Sequence, residues 1–156
     1  MEKAIQVLNG LLVELFNDIL NIEQTALKDG KFNDLSITEI HTIEAIGLYQ
    51  PRTMSEVAND LDITVGTLTT AIRKLVKKGY VERKRGEEDR RIVQIQLTRK
   101  GKLAYRIHEK FHTDMIKYMV QDLQIQDQQL LIHSLEQLHQ FLKEKYHLDK
   151  EGKGGK

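Results

Sequence analysis

Two groups of residues in this chain have the types and spacing to do chemistry. The first lies between Thr53 and Thr98. Thr64, Thr67 and Thr70 precede Arg73, Lys74 and Lys77 at helical spacing, so short hydroxyls come first and long cations later. Short side chains can press against base edges in a DNA groove while cations reach the phosphates. Further on, Asp89-Arg90-Arg91 falls in a turn between two alternating segments. A guanidinium at such a tip can enter a narrow minor groove, where negative potential is concentrated. The second group is His108-Glu109-Lys110-Phe111-His112, a His-Glu-x-x-His pattern. Two imidazoles one helical turn apart, with a carboxylate beside them, can hold zinc and activate water for hydrolysis. The extended pattern asks for a glycine and a third histidine where Met115 and Tyr118 stand. Glu136 is the substitute third ligand, but it sits beside a leucine seam, so a zinc hydrolase is the remote reading and no catalytic residue is assigned.

The elements that must carry the first group can be read from capping and periodicity. Thr53-x-x-Glu56 is a capping box, opening a short helix with Met54, Val57, Ala58 and Leu61 on one face. Asp62-Ile63 makes a turn, and Thr64 caps a second helix with the apolar stripe Val65, Leu68, Ile72, Leu75 and Val76. Lys78-Gly79 stops it, with glycine placed for a left-handed cap. The segments 80–85 and 93–97 then read as two strands joined by the turn 86–91, a β-hairpin wing. An ordinary α+β domain with a solvated hairpin is the bland alternative, and the order helix, turn, helix, wing argues against it.

Charge distribution agrees. The whole chain has 24 Lys and Arg against 23 Asp and Glu, yet the window 73–106 holds 13 against 4, a local net of +9, leaving −8 for the remainder. A clustered basic face, rather than a high overall pI, is what nucleic-acid binding needs.

These residues resemble the MarR-type winged-helix transcriptional regulators. The resemblance is carried by Leu75-Val-Lys-Lys-Gly-Tyr-Val-Glu-Arg83, Asp89-Arg90-Arg91 and Leu97-Thr98, and it extends over nearly the whole chain. It implies a wing arginine in the minor groove, with the motif's own arginine at Arg91, Asp89 bracing the turn and Arg90 as an extra cation. Which of the two arginines inserts is left open.

The rest of the chain fits that plan. The sequence predicts a mainly α fold with a small β-hairpin wing: one domain over 1–150, with a DNA-binding winged helix at 36–98, dimerisation helices at 3–28 and 99–148, and a disordered tail at 151–156. Ile5, Leu8, Leu12, Leu15, Phe16, Ile19 and Ile22 form a stripe on the first helix. Ser36-x-x-Glu39 is a second capping box, Thr98 caps a long helix, and Leu131, Leu135, Leu138 and Leu142 form a zipper-like seam on the last one. Such stripes need cover, from an intramolecular helix pair or from a second copy; the family dimerises through its terminal helices, which favours the homodimer. A two-fold dimer implies a pseudo-palindromic operator on double-stranded DNA. No apolar run approaching about 18 residues and no basic-plus-apolar leader is expected, which points to a cytoplasmic protein without membrane contact. With no cysteine, a thiol redox switch is excluded.

Within the family, Leu35–Gly47, Val65–Thr70 and Arg106–His112 look like the fatty-acid-synthesis repressor branch of Gram-positive bacteria. That resemblance implies repression of fatty-acid biosynthesis genes, with acyl carrier protein bearing a long acyl chain as co-repressor and no dedicated cofactor. Phe16, Ile19, Leu20, Ile40, His41, Ile43, Ile107, His108, Phe111, His112 and Met115 could line an apolar ligand pocket, although periodicity does not separate a channel from a filled core. The alternative is a zinc-responsive repressor, whose ligands would be Glu23, His41, His108 and His112. Zinc accepts such a set without cysteine, but that branch commonly adds a cysteine this chain lacks.

Overall fold

The computed structural model of the protein describes residues 1–148. The tail at 151–156, expected to be disordered, lies outside the described residues. Nine elements follow in chain order: α1 (Glu2–Asp29), α2 (Ile37–Ile46), β1 (Arg52–Thr53), α3 (Met54–Asp60), α4 (Val65–Lys77), β2 (Val81–Arg85), β3 (Val93–Leu97), α5 (Arg99–Val120) and α6 (Ile125–Tyr146). They fall into two compact units, Met1–Ile107 and the part from His108 onward.

In the first unit the capping residues start the helices where the sequence places them. Ser36 Oγ accepts from the Glu39 amide at 3.1 Å and Glu39 Oε2 accepts from the Ser36 amide at 2.9 Å. Thr53 and Glu56 make the same reciprocal pair at 3.2 and 3.0 Å. Each pair satisfies two amides that a helix start would otherwise leave without partners. Thr64 Oγ1 accepts from the Thr67 amide at 3.1 Å and so begins α4. Helix α4 ends at Lys77, and Gly79 follows at φ +83, a conformation that a side chain would strain. The core of this unit gathers Ile40, Ile43 and Ile46 from α2, Val57 and Ala58 from α3, and Leu68, Ile72 and Leu75 from α4. Tyr80, Val81, Ile95 and Leu97 of the wing base and Ala104 of α5 close it.

The wing is one strand richer than the expected hairpin. β2 and β3 pair antiparallel from Val81 opposite Leu97 to Arg85 opposite Val93, and the two-residue β1 adds to the far side of β3, with Arg52 opposite Ile95. So short a strand has no period to read. Arg52 fixes it from outside, donating to the Ala45 carbonyl at 2.6 Å and to Asp60 at 2.7 Å.

Helix α1 departs from the expectation of no long apolar segment. It is long and apolar enough to cross a membrane by length and composition, with a mean hydropathy of 1.2 over its best window. Glu14 and Asp18 stand in the middle of the helix, however, and a carboxylate near a bilayer centre costs about 2.5–3.5 kcal/mol on insertion scales. Its apolar side chains instead stay largely exposed along the helix. In the second unit α6 has no buried residue, and Leu131, Leu135, Leu138 and Leu142 are all exposed.

Candidate nucleic-acid interface

Helix α4 turns the middle of its apolar stripe inward: Leu68, Ile72 and Leu75 are fully buried, while Val65 and Val76 are exposed. At about 100° per residue, Gly66, Thr70, Arg73 and Lys77 then occupy the opposite arc, with Thr67 and Lys74 on its flank. All six are exposed. The hydroxyls are held locally before any ligand arrives. Thr64 Oγ1 donates to Thr67 Oγ1 at 2.9 Å, and Thr70 Oγ1 lies 3.5 Å from the Gly66 carbonyl. The long contact at Thr70 is weak, so that hydroxyl is easily redirected towards a base edge. Arg73, Lys74 and Lys77 make no ion pair among the described residues, which leaves their charge available for phosphates.

The wing tip is braced as the motif implies. Asp89 Oδ1 accepts from the Arg91 amide at 2.9 Å and from Arg91 Nε at 3.4 Å. The Gly86 amide donates to the Ile92 carbonyl at 2.9 Å, closing the turn between β2 and β3. The Arg91 side chain is 94% exposed, and Arg90 is exposed beside it. Arg83, Lys84 and Arg85 continue the exposed basic strip down β2.

At the C-terminal end of the recognition helix lies a polar network that sequence reading missed. Lys78 Nζ donates to both carboxylate oxygens of Glu39, at 3.0 and 2.8 Å, and to the Asp34 carbonyl. The Tyr80 hydroxyl donates to Asp34 Oδ1 at 2.6 Å. Burial, and then that hydrogen bond, push the phenol well above its ordinary range, so it stays a donor. The network ties the end of α4 to the start of α2. Its partners are 39 to 46 residues apart in the chain, a separation that no spacing rule reaches.

The residues of the suggested ligand and metal sites are distributed over both units. In the first, Glu23 is buried on α1 and its Oε1 lies 3.0 Å from His41 Nε2. Ile40 and Ile43 belong to the filled core, Ile19 is half-buried, and Phe16, Leu20 and Ile107 are exposed. In the second, His108 Nε2 and His112 Nε2 are 3.0 Å apart and the His108 ring stacks on Phe111 at 6.1 Å. Phe111, His112 and Met115 are half-buried while Glu109 is exposed.

Comparison with known proteins agrees with this geometry. Residues 35–93 match the model of the MarR family. The chain is similar to Streptococcus pneumoniae FabT as solved in complex with DNA, with 39% identity, a TM-score of 0.85, and coverage of 90% of this chain and 98% of that one. It is also 28% identical over 106 residues to the HTH-type transcriptional regulator PchR of Bacillus subtilis, covering 66% of this chain and 63% of the relative. With SarZ of Staphylococcus haemolyticus it shares 39% identity over 71 residues, 46% of this chain and 48% of the relative. The matched stretches thus span from about half to under two thirds of the length of these two regulators.

Proposed function

Because the chain belongs to the MarR family of DNA-binding transcriptional regulators, we propose that it represses fatty-acid biosynthesis genes, with acyl carrier protein bearing a long acyl chain as co-repressor. Members of this family are regulators and not enzymes, so His108-Glu109-x-x-His112 is no hydrolytic centre. The observation that carries the DNA-binding part is the exposed arc of α4 ending in Arg73, Lys74 and Lys77, beside a wing whose Arg91 is braced by Asp89. The lipid part is supported by the similarity to FabT over 90% of the chain. In this reading the protein works in the cytoplasm, with the chromosome.

The protein acts in this reading as a homodimer on a pseudo-palindromic operator. Two recognition helices related by a two-fold axis read half-sites about one DNA turn, roughly 34 Å, apart. The acyl chain changes DNA affinity only by its preference for one arrangement of the protein over another, because linkage allows nothing else.

Gel-shift titration of the purified protein tests the reading. Palmitoyl-loaded acyl carrier protein should move the DNA-binding midpoint while the unloaded carrier leaves it in place. Zinc is the competing reading, favoured by the close donor pairs Glu23–His41 and His108–His112. It requires instead that a chelator weaken DNA binding, that added zinc restore it, and that His108→Ala abolish the response. A midpoint that moves with neither ligand overturns both.

A further inference from the structure

The basic window of the sequence runs past the elements that read DNA. Arg99, Lys100, Lys102 and Arg106 lie on the first turns of α5, beyond both the recognition helix and the wing. A helix start already carries partial positive charge, so cations gathered there destabilise one another unless an anion joins them. That first turn contains no carboxylate.

Arg99, Lys100 and Arg106 meet Lys31, from the segment between α1 and α2, around an open groove of about 730 Å³. Lys31, Arg99 and Arg106 are exposed and make no ion pair among the described residues. The one carboxylate in the wall, Asp34, already accepts the Tyr80 hydroxyl. Leu103 adds an exposed apolar surface. The groove is far larger than a single phosphate, and its cations come from two separate chain segments, an arrangement suited to a row of carboxylates.

Its position argues against DNA as the occupant. Lys78, just past the end of α4, is tied to Asp34 and Glu39, so the groove bordered by Asp34 adjoins the C-terminal end of the recognition helix, away from its N-terminal turns. The arc of Thr70, Arg73 and Lys77 faces elsewhere.

We propose that this groove docks an acidic protein surface and, resting on the function proposed above, that the surface belongs to the carrier protein that delivers the acyl chain. Docking there reaches the DNA-reading element directly. Lys100 Nζ donates to the Lys78 carbonyl at 2.9 Å, at the end of α4, and lies 4.2 Å from the Tyr80 ring centroid. A partner carboxylate that draws on Lys100 changes what holds that helix end.

The experiment uses the full chain and two variants, Arg99→Gln/Arg106→Gln and Lys31→Glu/Arg99→Glu/Arg106→Glu. Without carrier, both should keep the wild-type dependence of DNA affinity on salt, which counts phosphate contacts. The shift produced by palmitoyl-loaded carrier protein should weaken in the neutral variant and require at least about tenfold more carrier in the reversed one, as loss of steering and pairing charges implies. A reduced salt slope without carrier overturns the proposal and makes the groove a DNA contact. A full carrier response in both variants overturns it while leaving the lipid function standing. If the wild-type protein ignores the loaded carrier, the lipid function falls and this proposal with it.

Discussion

Arg91 and Thr70 show how far residue types alone go. The hydroxyl-then-cation order and the Asp-x-Arg pattern could be read because each is local: residues one turn apart on a helix, or two apart in a turn, share a neighbourhood whatever the rest of the chain does. Replacing Arg90 and Arg91 together with Ala should therefore lower operator affinity by about tenfold or more, since minor-groove cations contribute much of the electrostatic attraction. Gel shift at physiological salt, with the oligomeric state verified by sedimentation, checks it; an unchanged midpoint refutes the assignment. On α4 the roles divide. Thr67→Ala and Thr70→Ala should alter which sequence is bound, whereas Lys77→Ala should weaken all sequences alike and flatten the salt dependence. Selection of bound sites from a random library for each variant separates the two, and a base preference disturbed as much by Lys77→Ala as by Thr67→Ala would reorient the helix. What residue types could not reveal is that Lys78, four positions after Lys74, is tied down inside the protein. Its charge is spent on Glu39, a partner that only the packing of α2 against α4 supplies.

At the scale of elements, starts and stops were legible and joints were not. Ser36, Thr53 and Thr64 cap the helices they should, because a cap acts within three residues. β1 escaped because two residues carry no period and their pairing with β3 is set by tertiary contacts. The joint between wing and α5 is likewise hidden in sequence. Thr98 does more than cap α5: its hydroxyl donates to the Gly79 carbonyl at 2.6 Å while accepting from the Gly101 amide at 3.1 Å. Gly101 is buried so closely against the wing base that a Cβ there would stand 2.1 Å from the Tyr80 carbonyl oxygen. Backbone does not yield as a side-chain tip does. Gly101→Ala should accordingly destabilise the protein by about 1–3 kcal/mol or more, the usual cost of overpacking, seen as a lower urea midpoint. A midpoint equal to wild type would mean that α5 can lift off the wing base without penalty.

For the molecule as a whole, the question is what covers the terminal helices. The stripes of α1 and α6 were visible as periodicity, yet periodicity only says that an apolar face exists, and here the described chain leaves those faces open. Leu135 and Leu138 are 54% and 51% exposed, and Phe16 on α1 is 64% exposed. Apolar stripes exposed to this extent are uncommon on a soluble monomer, and the charge of Glu14 and Asp18 on α1 disfavours a bilayer as the cover of that helix. A second copy of the chain satisfies both conditions, and it is also what a two-fold operator demands of the recognition helices. Leu135→Asp/Leu138→Asp should then yield monomers or insoluble protein, because closing the interface would bury two carboxylates without partners. The same variant should lose operator binding far more than binding to a single half-site, since each winged helix retains its own core of Ile43, Leu68, Ile72 and Leu75. Sedimentation velocity and circular dichroism decide between the outcomes: a folded monomer supports the interface, and a stable dimer with intact operator affinity moves it away from α6.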